Sequence, residues 1–280
     1  MKGKLYIIST PIGNMEDITL RAIRVLSDCD YILAESSERS SKVLQRYGIT
    51  NKLITFNKDN EKSKVSKIFR DLENGKIVGL ISDAGTPSIS DPAFELIKIP
   101  SDNFSIIPVP GPSSLTCALS VSKIPINKFS FYGFLPRKRS ELINSLKNIK
   151  KNNMPVVIFE SKTRLLKLLS IMSEVLGDDT KINIFRELTK VHEEIFESSI
   201  ADALKYYENK KIIGEFTIIM DKCGENSDEA SNHDNVIKIL LDKYSPSDTA
   251  TIVSKLTSIN KKIIYKHILS IRQKLSLIHI

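Results

Sequence analysis

The sequence predicts an α/β fold: two successive α/β domains followed by a small helical segment. Three observations predict it. Over residues 1–110 short apolar runs alternate with amphipathic segments, the pattern of a mainly parallel sheet covered by helices on both faces. From residue 129 a second α/β pattern begins, and its last strands follow one another closely, as in a partly antiparallel sheet. Between the two, Ile124-Pro125-Ile126-Asn127 breaks the helical pattern, because proline lacks the N–H a helix interior needs. The expected organisation is an N-terminal α/β domain over residues 1–122, a second α/β domain over 123–224 and a helical C-terminal segment over 236–280. The polar residues 224–235 read as a flexible linker.

The elements follow in order. Residues 5–9, 31–35, 53–56, 77–82 and 104–109 read as strands, and 16–27, 38–47, 61–73 and 92–98 as the helices between them. In the first helix Ile18, Ala22, Val25 and Leu26 share a face, with Asn14 as N-cap. In the second half residues 129–134, 156–160, 181–187, 193–198 and 215–220 read as strands. Residues 164–176 carry Leu165, Leu168, Leu169, Met172, Val175 and Leu176 on one stripe, which predicts a helix with that stripe in the core. The tail ends in a basic stretch over residues 255–274.

Composition narrows the function classes. With 41% hydrophobic and 26% charged residues, the 280-residue chain has an ordinary globular composition. No run approaches the 18 or so consecutive apolar residues of a membrane span, and Met1-Lys2-Gly3-Lys4-Leu5-Tyr6-Ile7-Ile8 suits an opening strand better than a secretory signal. Cys29, Cys117 and Cys223 are too scattered for a disulfide framework or a zinc site, which fits a reducing cytoplasm and predicts no metal. The net charge of +8, from 41 basic and 33 acidic residues, suits a polyanionic partner such as nucleic acid. A composition rich in Lys, Asn and Ile raises the pI by itself.

Four loops fall at strand ends, where open α/β sheets bind ligands. They are Ser9-Thr10-Pro11-Ile12-Gly13-Asn14; Ser82-Asp83-Ala84-Gly85-Thr86-Pro87-Ser88-Ile89-Ser90-Asp91-Pro92; Pro110-Gly111-Pro112-Ser113-Ser114; and Phe159-Glu160-Ser161-Lys162-Thr163-Arg164. Glycines there allow close backbone approach, prolines stiffen the loops, and Asp83 offers an acceptor for a ribose hydroxyl or an amino group. Each loop taken alone also reads as a tight turn. The coincidence of four at strand ends favours ligand binding. Common alternatives are not supported. Neither G-x-G-x-x-G nor G-x-x-x-x-G-K-[ST] occurs. His192-Glu193-Glu194 is followed by Phe196 where a zinc protease has its second His, and Gly111-Pro112-Ser113-Ser114-Leu115 lacks the second glycine of a nucleophile elbow.

These loops, with Asp17-Ile18-Thr19-Leu20-Arg21-Ala22, Gly133-Phe134-Leu135-Pro136-Arg137-Lys138 and Arg186-Glu187-Leu188-Thr189-Lys190, carry a resemblance. The chain resembles the tetrapyrrole-methylase-like class of methyltransferases, in the branch acting on small-subunit ribosomal RNA. The resemblance implies two α/β domains with S-adenosylmethionine in the cleft between them, and a homodimer. It further implies 2′-O-methylation of a cytidine ribose in 16S ribosomal RNA within the small ribosomal subunit. A tetrapyrrole acceptor and a non-catalytic RNA-binding relative are the alternatives, and the basic stretches favour RNA. Carried over residue by residue, the resemblance implies cofactor contacts from Pro11, Asp83, Ala84, Gly85, Thr86, Ile89, Ser113, Ser114, Glu160 and Leu188. The chain departs from the family pattern after Ala34-Glu35, where Ser36-Ser37-Glu38 replaces Asp-Thr-Arg, with Arg39 next in line.

A ribose hydroxyl is a poor nucleophile at neutral pH, so a base or a cation should assist it. Lys190, with Glu187 nearby, is the candidate catalytic pair; a salt-bridged strand end is the other reading of the same residues. Arg137, Lys138, Arg139 and Arg164 are the candidate RNA phosphate contacts, or else a solvated basic face.

Overall fold

The structure, a computed structural model, describes residues 2–90, 93–100, 102–222, 233–257 and 259–276. Asp91 and Pro92 at the end of the second loop, Cys223 and residues 224–232 of the predicted linker lie outside the described residues.

The first half is a five-stranded, wholly parallel sheet. Its strands are β1 (Gly3–Ile8), β2 (Tyr31–Ala34), β3 (Lys52–Thr55), β4 (Ile77–Ile81) and β5 (Phe104–Val109), in the order β3-β2-β4-β1-β5. The interior strand β1 sets Tyr6 opposite Gly79 of β4 on one side and Ile107 of β5 on the other. Alternate side chains of each strand leave on opposite faces, so one sheet feeds two cores. On one face Leu5, Leu33, Val78 and Leu80 meet Ile68 and Leu72 of α3 (Glu61–Glu73) and Leu96 of α4 (Phe94–Ile97). On the other, Ile8, Ile32 and Ile81 meet Ala22, Val25 and Leu26 of α1 (Leu20–Ser27) and Leu44 of α2 (Ser37–Arg46).

The first predicted helix is two elements. Asn14 accepts from the Glu16 N–H and caps only a 3-10 turn, Met15–Asp17, after which Ile18 is extended at φ −64°, ψ 138°. Thr19 then caps α1 by accepting from the Ala22 N–H at 3.0 Å. Two capping side chains five residues apart split what hydrophobic spacing alone joins.

The second half is a mixed sheet, as its strand spacing predicts. β6 (Ser130–Phe134), β7 (Val156–Ser161), β8 (Lys181–Arg186), β9 (Glu194–Ser199) and β10 (Glu215–Met220) lie in the order β6-β7-β10-β8-β9, and only β6 and β7 pair in parallel. The helix α7 (Leu165–Leu176) buries Leu165, Leu168, Leu169, Met172 and Leu176 together with Ile171, while Val175 of the predicted stripe is partly exposed. Three further helices stand where the sequence reading placed no element: α5 (Ser114–Ser120), α6 (Arg139–Asn152) and α8 (Ile200–Glu208). Ala118 of α5, with Ile12 and Leu188, joins Val157, Phe185 and Ile219 of the second sheet in one cluster. Both sheets thereby belong to a single compact unit, Met1–Ile149 with Met154–Asp221.

The C-terminal residues form a separate helical unit. It contains α9 (Asp234–Leu241), α10 (Pro246–Thr257) and α11 (Lys261–Ser276), packed around Ile237, Ala250, Val253, Ile264 and Ile268. Ser245 caps α10 by accepting from the Asp248 N–H at 3.2 Å. No helix among the described residues is long and apolar enough to cross a membrane.

Candidate active site

A cavity of about 300 Å³ opens between the two sheets. On the first-half side it is walled by the loops that leave the carboxyl ends of β1, β2, β4 and β5, where a parallel sheet leaves room for a ligand. Hydrogen bonds tie these loops into one rim. Thr10 and Gly85 exchange backbone bonds at 2.9 and 3.0 Å, Ser9 Oγ lies 2.9 Å from Thr86 Oγ1, and the Thr86 hydroxyl donates to the Pro112 carbonyl at 3.2 Å.

The predicted cofactor contacts are brought together. Asp83, Ala84, Gly85, Thr86, Ile89, Ser113, Ser114, Glu160 and Leu188 all line the cavity. Pro11 is the exception: it is buried outside the lining, and its neighbour Ile12 takes the wall position. The Asp83 carboxylate accepts from the Ser36 N–H at 2.9 Å and from the Arg39 guanidinium at 3.0 Å. Arg39, one residue past the departure from the family pattern, therefore reaches the cavity. A carboxylate has about four acceptor positions, so Asp83 keeps capacity for a ligand. Glu160 is part of the wall, with its side chain fully buried. Its Oε1 accepts from the Ser161 N–H at 2.7 Å and its Oε2 lies 3.3 Å from Arg164. Burial pushes its carboxyl above the ordinary value, against the pull of Ser161 and Arg164.

On the second-half side the wall is the loop that follows β8. Glu187 and Thr189 hold positive φ angles of 50° and 66°, a conformation that is costly for non-glycine residues and recurs at functional sites. The kink turns both candidate catalytic side chains into the cavity. Lys190 Nζ donates to Glu187 Oε1 at 2.9 Å and lies 3.4 Å from Glu215 Oε2, while Glu187 Oε1 also accepts from the Glu215 N–H at 3.0 Å. Partial burial alone would lower the Lys190 pKa, yet Glu187 and Glu215 outweigh it and leave the ammonium above its ordinary value. Burial likewise opposes ionisation of Glu187, but the Lys190 and Glu215 hydrogen bonds hold its carboxyl below the usual range. The pair is a fixed cation and anion at neutral pH, and neither member is a free base.

Two glycines make this geometry possible. A Cβ on Gly13 would fall 2.3 Å from Lys190 Cγ, so only glycine lets the first loop lie against Lys190 while the Asn14 N–H donates to Thr189 Oγ1 at 3.1 Å. Gly214, at φ +95°, has the Glu187 side chain where its Cβ would be, at 2.4–2.6 Å.

The four candidate phosphate contacts separate. Arg137, Lys138 and Arg139 are exposed on the turn into α6, Lys138 lying 3.5 Å from Glu141 and Arg139 2.7 Å from Glu174. Arg164 turns inward instead. Its guanidinium donates to the carbonyls of Leu135 at 2.8 Å and Pro136 at 3.3 Å and faces Glu160, which makes it a strut between β6 and β7. Sequence reasoning missed Glu35, Glu215, Thr217, Phe134, Phe185 and Phe216 as site residues; Phe159 of the fourth loop and Arg39 beside the departure from the family pattern join them in lining the cavity. Glu35 follows the carboxyl end of β2, the same signal that found the loops, whereas Glu215 opens β10 at its amino end and has no such signal.

Comparison with known proteins agrees with this geometry. The family model of the tetrapyrrole (corrin/porphyrin) methylases matches residues 4–204. A Ribosomal RNA small subunit methyltransferase I of Thermotoga maritima is 43% identical over 219 residues, covering 78% of this chain and 98% of its own. One of the same name from Buchnera aphidicola is 37% identical over 278 residues, covering 97% of this chain and 98% of its own. Among solved structures, a cobalt precorrin-4 methyltransferase of cobalamin biosynthesis superposes with a TM-score of 0.60 at 18% identity, over 78% of this chain and 94% of that one, a likeness of fold. The chain is a member of the tetrapyrrole methylase family, in the branch of the ribosomal RNA small subunit methyltransferases I.

Proposed function

We propose that the protein transfers a methyl group from S-adenosylmethionine to the 2′-hydroxyl of a cytidine ribose in small-subunit (16S) ribosomal RNA. On this reading it acts in the cytoplasm, as a homodimer, on the small ribosomal subunit. The name shared by its relatives supports the acceptor, and one observation in the cavity carries the chemistry. Its lining holds five carboxylates (Glu35, Asp83, Glu160, Glu187, Glu215) against two cations (Arg39, Lys190), in a chain whose net charge is +8. A cavity of inverted charge suits a cationic small molecule, while basic surfaces elsewhere suit RNA.

The residues fit the methyl donor. The volume of about 300 Å³ is at the lower end of small-molecule sites, roughly 300–1,000 Å³. The wall mixes Ile12, Ile89 and Leu188 with the acceptors Asp83, Thr86, Ser113 and Ser114. Those residues, with Ala84, Gly85 and the backbone at Glu160, would hold the donor. Bound there, it supplies a methyl already activated by the sulfonium charge. The chain's own task is alignment, which can account for roughly 7–11 kcal/mol of a barrier. Lys190, charged and held between Glu187 and Glu215, orients the ribose hydroxyl and steadies negative charge as it develops on that oxygen. Arg137, Lys138 and Arg139 meet RNA phosphates, with Arg164 bracing the turn that presents them.

The test is transfer itself. Purified protein, labelled methyl donor and small subunits lacking the modification should place label on a cytidine ribose of 16S RNA. Donor binding with no label in RNA would overturn the acceptor, and no donor binding would overturn the methyltransferase reading.

A further inference from the structure

The proposed reaction needs somewhere for the hydroxyl proton to go, and the pair in the second-half wall does not offer it. Lys190 is already protonated, and Glu187 is an ion-paired carboxylate whose acidity its partners increase. The other cavity carboxylates are also engaged. Asp83 accepts from Ser36 and Arg39, Glu215 lies 3.4 Å from Lys190, and Glu160, its side chain fully buried, is ion-paired with Arg164 at 3.3 Å. Glu35 stands apart. It follows directly on β2 at the carboxyl edge of the parallel sheet, is half-buried and lines the cavity.

We infer that Glu35 is the general base of methyl transfer, taking the proton of the acceptor hydroxyl; the assignment rests on the methyltransferase reading above. As the new O–CH3 bond forms, the O–H proton passes to a Glu35 oxygen, the S–CH3 bond breaks toward sulfur, and the sulfonium becomes a neutral thioether. Glu35 then releases the proton to solvent. The charged groups that face it come from three elements: Asp83 from the loop after β4, Lys58 from the segment after β3 and Arg39 from α2. Burial first, and then the Asp83 charge, raise the Glu35 pKa, while Lys58 and Arg39 pull it down; the net shift is upward. A carboxylate shifted this way is a stronger base at neutral pH than one in water.

The experiment compares wild-type protein with Glu35→Gln. It measures single-turnover transfer to unmodified small subunits from pH 4.5, the ordinary glutamate value, up to about pH 8.5. Calorimetric affinity for the methyl donor, subunit affinity and a thermal melt are measured alongside. The wild-type rate should rise with pH through the acid limb and then level. Glu35→Gln should bind donor and subunit as the wild type does, transfer roughly 10²–10⁴-fold more slowly, and lose the acid limb. A rate within about threefold of wild type, or weakened donor or subunit affinity with an unchanged saturated rate, overturns the assignment. Should Glu35→Gln fail to fold, Glu35→Asp carries the test: a slower reaction with its acid limb moved to lower pH supports a base, and an unchanged profile overturns it. Wild-type protein that transfers no methyl sinks the underlying reading instead, and this assignment with it.

Discussion

Replacing Gly214 by alanine probes the catalytic pair without touching either of its members. Gly214 sits at φ +95°, and an added Cβ would lie 2.4 Å from Glu187 Cγ, 2.5 Å from its Cδ and 2.6 Å from its Oε1. Two costs follow. A non-glycine residue in left-handed backbone costs roughly 1–2 kcal/mol. The Glu187 carboxylate must also swing away, giving up its bonds to the Glu215 N–H and Lys190, and a typical hydrogen bond is worth about 1 kcal/mol net. The sum for Gly214→Ala is roughly 3–4 kcal/mol of folding stability. Transfer should fall as well, because Lys190 loses its nearer partner, while donor affinity changes little. The assay is a double-mutant cycle by urea denaturation with Glu187→Ala. That variant removes the three Glu187 atoms nearest the new methyl, so Gly214→Ala should cost about 2 kcal/mol less in its background than in wild type. Equal cost in both backgrounds would refute the steric argument and leave only backbone strain.

Two further outcomes follow from the same geometry. Lys190→Ala should lower single-turnover transfer about 10²–10³-fold, the usual loss for a preorganised charge aimed at a reacting oxygen, with donor affinity retained; an unchanged rate removes Lys190 from the mechanism. Replacing Arg137, Lys138 and Arg139 together should flatten the fall of log subunit affinity with log salt by about one unit for each phosphate that is no longer neutralised. Arg164→Ala should instead lower stability with little change in salt slope, because its guanidinium bonds the Leu135 and Pro136 carbonyls.

Local patterns in the chain carried much of the fold. Strands β4, β5 and β10 and helices α3 and α7 are legible because their apolar residues recur at the period of their own element. The break at Ile18 was not legible, because hydrophobic spacing records burial and is blind to which hydroxyl or amide caps a helix. The short helix α5 was missed for a related reason: seven residues, Ser114–Ser120, give too little periodicity to rise above a loop. Nine of the ten expected cofactor positions line the cavity, seven of them because parallel strands place their following loops on one edge.

The amino-acid sequence by itself determined the alternation of elements, the loops at strand ends, the family motifs and the residues able to do chemistry. Those properties are local, written within a few residues of one another. Tertiary structure alone decided which charges are free. Arg164 and Arg137 look alike in sequence, yet one is a strut and the other faces solvent. Lys190 and Glu187 are neutralised by each other and by Glu215, 25 positions along the chain from Lys190. Glu35 lines the cavity beside Asp83, whose carboxylate is bonded by Arg39 from 44 positions away. Ionisation depends on distance and burial, and these exist only once the chain has brought remote segments together.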